Sequence, residues 1–234
     1  MKPSKAVALI AVWVGLLFAG PAVALEPFVA KYQVFNGGKR LGEATMQLVR
    51  DGEARWRIEL DMRGSRGLAG LAAANAQQST VFDTVGETYR PLSQSTMRKA
   101  ALQGRRATAE YDWKRGVASW AGDVKPERAG PIKLQVGDID ALLVNLAVVR
   151  DLKAGKPLDY RMVDDGRVRQ LRYTVAGKER IDVGGKSQQA SKLISSQDDK
   201  QTLVWIVEGM PVPVRILQRE KGVDASDLRL TQVR

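Results

Sequence analysis

Histidine and cysteine are both missing from this chain of 234 residues. Without histidine there is no Ser-His-Asp triad to build. Without cysteine there is no thiol nucleophile and no disulfide, so the fold must be held by its own core. The two absences together remove almost every ordinary zinc site. They also remove the residue that would carry a lipoprotein's lipid. An enzyme on this chain is left with paired carboxylates, a Ser–Lys arrangement or a carboxylate-bound metal. A second long apolar run is also lacking, since the single one lies at the N-terminus.

That run is "AVALIAVWVGLLFAG", residues 6–20, behind Lys2 and Lys5 and ahead of Ala22-Val23-Ala24. A charged start, a short apolar stretch and a small-residue site form a secretory leader, and cleavage is expected after Ala24. The run is short for spanning about 30 Å of hydrocarbon, which takes about 20 residues. The mature chain is then expected to be residues 25–234, exported to a periplasm and not held in the membrane as an integral protein. The formal charge is +11, and loss of Lys2 and Lys5 lowers it to +9. A basic balance aids solubility and also draws a protein to anionic lipid or glycolipid surfaces. The basic residues are scattered and carry no nucleic-acid signature, so nucleic acid is not an expected partner.

Four acidic pairs need weighing as chemistry. Asp164-Asp165-Gly166 and Asp198-Asp199 fall between alternating runs, where Asp and Gly make hairpin turns. Asp138 and Asp140 open a helical stretch, where Asp caps free N–H groups. Asp224 and Asp227 flank Ser226 near the C-terminus. All four are read as turns or caps. None offers the dense oxygen set of a calcium loop. "GGKS" at 184–187 lacks the upstream glycine spacing and the following helix of a phosphate loop. No catalytic, metal-binding or cofactor-binding residue is assigned, and no cofactor is expected.

Most of the mature chain alternates. "FVAKYQVF" turns at "NGGK" into "RLGEATMQLVR". In "ARWRIELDMRG", Trp56, Ile58, Leu60 and Met62 face one way and Arg55, Arg57, Glu59 and Asp61 the other. "GPIKLQV", 130–136, reads as one more short strand before the helix. "RVRQLRYTVAG", 167–177, reads as one strand, and "KERIDV" as the next. "LAGLAAANAQQ", 68–78, has no clean period and reads as a helical turn or a loop. About a dozen or more strands with turns about every ten residues predict an all-β barrel or sandwich built from hairpins. One domain over 25–234 is expected, with a division near residue 130 as the alternative.

The interruption is "GDIDALLVNLAVVRDLKAG", 137–155. Asp138 as N-cap and Gly155 as C′ predict a helix over about 139–153. Ile139, Leu142, Leu143, Leu146 and Val149 fall on one arc, and Ala141, Val144, Val148 and Leu152 on the opposite one. Two apolar arcs require contact from two sides, and the apolar stretch 141–149 spans only about 13 Å, too short for a membrane. The helix is therefore expected inside the curled sheet. It either plugs the core or lines and gates an apolar cavity.

The "RLGEA" strand, the Asp-x-Asp-Ala-Leu helix with its following Leu-x-x-Gly-Lys, "GKERIDV", and Trp205 ahead of Pro211-Val212-Pro213-Val214 together resemble the domain of unknown function 3108 family. The resemblance covers nearly the whole mature chain. It implies an exported all-β protein of Gram-negative bacteria, with long antiparallel strands curled into an open, spiral-like barrel. It implies no established activity and no site residues.

Two functional readings follow. One is a non-enzymatic envelope protein that binds an apolar ligand, a lipid or an acyl chain, or else docks a protein partner. Its cavity-lining candidates are Trp56, Trp113, Leu142, Leu146, Val149 and Trp205, with Tyr111 and Trp120 as further wall or rim residues. The other is a carboxylate- or Ser–Lys-dependent hydrolase, which needs polar groups converging in a cleft.

Overall fold

The computed structural model describes residues 25–64, 75–100 and 103–234. The expected leader, 1–24, lies outside them. So does 68–74 of the alanine-rich stretch, while residues 75–78 open a strand.

Eight strands precede the helix: β1 (Phe28–Asn36), β2 (Lys39–Arg50), β3 (Arg55–Gly64), β4 (Asn75–Val85), β5 (Thr88–Ala100), β6 (Gln103–Asp112), β7 (Val117–Gly122) and the two-residue β8 (Ile132–Lys133). After α1 (Leu143–Lys153) come β9 (Asp159–Asp164), β10 (Arg167–Arg172), β11 (Thr174–Val183), β12 (Lys186–Gln197), β13 (Lys200–Val207), β14 (Arg215–Glu220) and β15 (Val223–Val233). The turns use the residues expected of them. Asp165 and Gly166 join β9 to β10 with φ of 50° and 64°, and Gly184 joins β11 to β12 with φ of 60°. Glycine takes that left-handed region at no steric cost, and Asp tolerates it. Asp224 and Asp227, read as turn residues, lie instead within β15, where they accept hydrogen bonds from Arg219 and from Arg215 and Arg229.

Thirteen strands make one antiparallel sheet in the order β11-β12-β13-β14-β15-β1-β2-β3-β4-β5-β6-β7-β8. Two meanders are joined where β15 pairs with β1. The ends of the order, β11 and β8, do not pair with each other, so the sheet is curled but not closed. The curl is tight at the C-terminal arm. A Cβ added at Gly184 would stand 2.4 Å from the backbone oxygen of Thr231 on β15.

The helix and the β9-β10 hairpin fill the curl. One apolar cluster joins Tyr32, Met46 and Ile58 of the first arm, Leu143, Leu146 and Val148 of α1, and Leu193, Leu203 and Leu217 of the second arm. A smaller cluster holds Tyr111, Trp120, Leu134 and Val163, with Trp113 packed against it. The buried positions of α1 are Leu143, Val144, Leu146, Ala147, Val148 and Asp151. At 100° per residue these cover one arc of about 200°. The two expected stripes merge into that arc, with Val149 and Leu152 half-buried at its far side.

Several element boundaries differ from the sequence expectation, and the strand expected over 130–136 is reduced to Ile132–Lys133. The helix begins at Leu143, not 139, because Ile139 is taken by a parallel bridge to Met162. Its N–H donates to Arg161 at 3.2 Å, and its carbonyl accepts from Val163 at 2.8 Å. Asp138 is therefore not the N-cap, and its carboxylate pairs with Arg161 and accepts the Gln135 N–H. Asp140 takes the capping role, its Oδ1 accepting the Leu143 N–H at 2.9 Å. Gly155 does end the helix, with φ of 65°. The run 167–177 is divided at Tyr173, β10 pairing only with β9 and β11 only with β12.

Candidate functional site

The inner face carries an anchored plug. Asp140 is wholly buried, and its Oδ2 accepts from the hydroxyl of Thr80 on β4 and from Gln94 on β5 at 3.3 Å. The same Gln94 amide nitrogen donates to Asp164 of β9 at 2.7 Å. One glutamine thus bridges the carboxylates that stand before the helix and at the end of β9. Among the described residues no cation pairs with Asp140. Burial, and next the nearby charge of Asp164, push its carboxyl up to about 7 against the opposing hydrogen bonds. Asp164 is raised as well, chiefly by burial. In the last turns of α1, Arg150 pairs with Asp151 and lies over the ring of Tyr89 at 4.4 Å. Clustered carboxylates are one mark of the hydrolase reading. A carboxylate with no solvent-exposed surface cannot meet a substrate, however, so the Asp140 assembly is a tie between plug and sheet.

Five of the six named candidates, Trp56, Leu142, Leu146, Val149 and Trp205, share the large apolar cluster, and Trp113 packs against the smaller one. Leu142 and Leu146 are core residues, and Val149 is packed at the edge of the same core. Trp56 is buried on the inner face of β3 with Arg50 over its ring at 4.5 Å. Trp113 follows β6, and its indole N–H donates to the Pro91 carbonyl at 2.6 Å. Trp205 lies on β13, which is buried on both faces, between Lys192 and Arg215, and its N–H donates to Glu179. Tyr111 and Trp120 pack edge to face within the smaller cluster, and the Tyr111 hydroxyl donates to the Val163 carbonyl at 2.8 Å.

An accessible concavity lies on the other face. A polar trough of about 600 Å³ runs across β15, β1, β2, β3 and β4. Its floor follows from the strand period of two. Because Tyr32, Ala44, Met46 and Ile58 point inward, Lys31, Gln33, Thr45, Gln47, Glu59 and Asp61 must point out. The hairpin registers align these residues into rows. Lys31, Thr45, Asp61 and Gln77 stand side by side across four strands, and Gln33, Glu43 and Arg63 across three. Gln47 donates to Glu59, and Arg63 pairs with Asp61 at 2.7 Å. A second groove of about 530 Å³ shares Asp61, Arg63 and Gln77 with the first and continues to Met97 on β5. Neither is lined by any of Trp56, Trp113, Leu142, Leu146, Val149 or Trp205. The trough went unread from sequence, although the alternation in "RWRIELDMRG" and the turn-fixed register of β1 and β2 contained its floor.

The sequence profile of a family described as "Protein of unknown function (DUF3108)" matches residues 31–223. The chain belongs to that family. The match takes in α1, β1 from Lys31 onward and every strand from β2 to β14, and it ends at Val223, the first residue of β15. No curated protein matches the chain. Among solved structures it is similar to a beta-barrel-like protein of domain of unknown function DUF1849 from Brucella abortus. The identity is 12%, the TM-score 0.45, and the alignment covers 90% of this chain and 98% of that one. Membership in the DUF3108 family brings no assigned activity, so the trough stands on its own chemistry. Among the described residues no helix is long and apolar enough to cross a membrane.

Proposed function

We propose that this DUF3108 protein is an exported, non-enzymatic protein of the cell envelope that works by binding a hydrophilic protein partner in the β15–β4 trough. One observation carries the reading. The trough presents rows of hydrogen-bonding groups and charges of both signs, Lys31 and Arg63 beside Glu43, Glu59 and Asp61. A partner face with the complementary pattern gains specificity there, since each mismatched charge is penalised. The side chains of the trough floor are mostly polar or charged, which disfavours an acyl chain there, and α1 occupies the inner face that could have received one. Export is supported by the apolar run and Ala22-Val23-Ala24, which stand ahead of the first core residue, Phe28.

The experiment places a photo-reactive residue at Thr45, on the trough floor, and in a second variant at Val223, the exposed first residue of β15. Both are irradiated in growing cells. A discrete adduct at Thr45 that disappears with Glu43→Lys and Asp61→Lys supports the reading, as does a recovered chain beginning at Leu25. Identical adducts at both positions, or an adduct consisting of lipid, would refute it.

A further inference from the structure

The two ends of α1 are held to the β4-β5 hairpin by different chemistry. The C-terminal end is fastened by charges. Arg150 donates to the Glu87 carbonyl, Lys156 pairs with the Glu87 carboxylate, and the Tyr160 hydroxyl donates to Asp151 at 3.1 Å. The Lys156 ammonium holds Glu87 below its ordinary value, so this pair stays formed from mildly acid to mildly alkaline pH. The first turn is held instead by a carboxyl without a counter-charge among the described residues. Asp140 is wholly buried. One of its oxygens accepts the Leu143 N–H, and the other accepts the Thr80 hydroxyl of β4 and the Gln94 amide of β5. The titratable groups around it do not help. Half-buried Asp164 of β9 takes the same Gln94 nitrogen, and Tyr111 of β6 is close enough to feel both carboxylates. Asp138 is paired with Arg161, and Asp165 with Arg128. Arg169 of β10 acts on Asp164. Both hydrogens of the Gln94 nitrogen are thus already taken.

We propose that this assembly is a proton-operated latch on the inner core: with the proton in place the first turn of α1 stays closed on β4 and β5, and without it that turn opens to water while the rest of the fold stays shut. The physical reason is solvation. An ionised Asp140 regains water only by leaving its site, and an unpaired charge is costly to keep buried. The opening is local because its surroundings stay fastened. Tyr111 holds β9 to β6 through the Val163 carbonyl, and Glu87 holds the end of α1 to the β4-β5 turn. What the opening uncovers is apolar, since Leu142, Leu143 and Val144 are all buried. Its direction follows from Asp140 being held at about 7 when closed, against 3.8 when solvated. The open form therefore gains on the closed form as pH rises from about 4 to about 7. Above that both are ionised, and the balance stops changing. The trough lies on the opposite face of the sheet, so the latch stands whether or not the trough holds a partner.

The chain has no cysteine, so a single introduced thiol reports on one place. Val144→Cys, which is nearly isosteric, samples the first turn of α1. Val212→Cys samples the buried segment between β13 and β14. Each variant, as the chain recovered from cells, is labelled with a pyridyl disulfide from pH 5 to pH 9. Each rate is divided by that of the same variant unfolded in urea at the same pH. For Val144→Cys the ratio should rise by about a hundredfold between pH 5 and pH 8 and then level off. It should exceed the Val212→Cys ratio throughout, because global unfolding exposes both positions equally. With Asp140→Asn added, the Val144→Cys ratio should not depend on pH. Asp164→Asn removes the nearby charge but leaves an acceptor for Gln94, so it should make the rise smaller and end it at lower pH. Equal ratios at the two positions overturn the proposal, and so does a flat Val144→Cys profile in the otherwise native chain. An unchanged rise in Asp140→Asn or Asp164→Asn overturns it as well.

Discussion

The hydroxyl of Thr80 on β4 donates to the carboxylate of Asp140, 60 residues further along the chain. The contact joins the middle of the sheet to the residue that caps α1. Gln94 extends it to Asp164 and so to the hairpin on the far side of the helix. A single buried polar assembly thereby fixes where the plug sits, which apolar contacts alone would leave free to slide.

This assembly makes stability depend on pH. The Asp140 carboxyl is held at about 7 in the folded state against 3.8 ordinarily, so the folded protein binds its proton more tightly than the unfolded chain does. The stabilisation is complete below about pH 4 and is lost as pH rises through about 7, a change of order a few kcal/mol. Asp164 acts in the same direction. Asp227, Glu179, Glu87 and Asp159 are lowered and act oppositely in acid. The wild type must therefore be compared with Asp140→Asn. Urea midpoints of the wild type should fall relative to the variant between about pH 5 and pH 8. Parallel curves would show that Asp140 ionises as an ordinary carboxyl.

The helix is contacted over most of its circumference. Leu146→Asp and Val148→Asp should each cost at least about 3 kcal/mol, because an unpaired charge enters an apolar contact. Leu146→Ala should cost about 2–5 kcal/mol by leaving a cavity. Val149 is only half-buried, and Val149→Asp should cost less than either core aspartate. A near-neutral Val148→Asp in a urea melt would mean that one side of α1 is open.

Two turns are pinned by backbone. A Cβ at Gly184 meets the Thr231 oxygen at 2.4 Å, and one at Gly166 meets the Arg128 oxygen at 2.0 Å. Gly185 shares the positive φ but has open space around it. Gly185→Ala should cost only the left-handed strain, about 1–2 kcal/mol. Gly184→Ala and Gly166→Ala should cost about 1–3 kcal/mol more, from the forced displacement. Equal thermal shifts for Gly184→Ala and Gly185→Ala would mean that the C-terminal arm does not curl back onto β15.

The Tyr32 hydroxyl donates to the Pro213 carbonyl at 2.9 Å, 181 residues away. It ties β1 to the segment between β13 and β14. Tyr32→Phe should cost about 1–3 kcal/mol, because a buried carbonyl loses its donor. Tyr173 has no hydrogen-bond partner for its hydroxyl among the described residues, and Tyr173→Phe should stay within about 0.5 kcal/mol. Chemical denaturation of both variants separates a hydrogen bond from ring packing.

What the sequence determined by itself is local. Period-two alternation placed Trp56 and Ile58 inward and Glu59 and Asp61 outward, and Gly166, Gly184 and Gly155 marked ends because only a few residues accept a positive φ. Such signals need only neighbouring residues, which is why the hairpins and the end of α1 were legible. The remaining features depend on contacts between distant segments. Ile139 leaves the helix because β9 offers it a backbone partner, and the run 167–177 divides because β10 and β11 find different neighbours. Asp140 reads as an ordinary cap until Thr80 and Gln94 enclose it and burial changes its acidity. The trough likewise arises only when five strands from both ends of the chain lie in register. Alternation says which side chains share a face, but which faces come together is set by the long-range pairing that closes the chain.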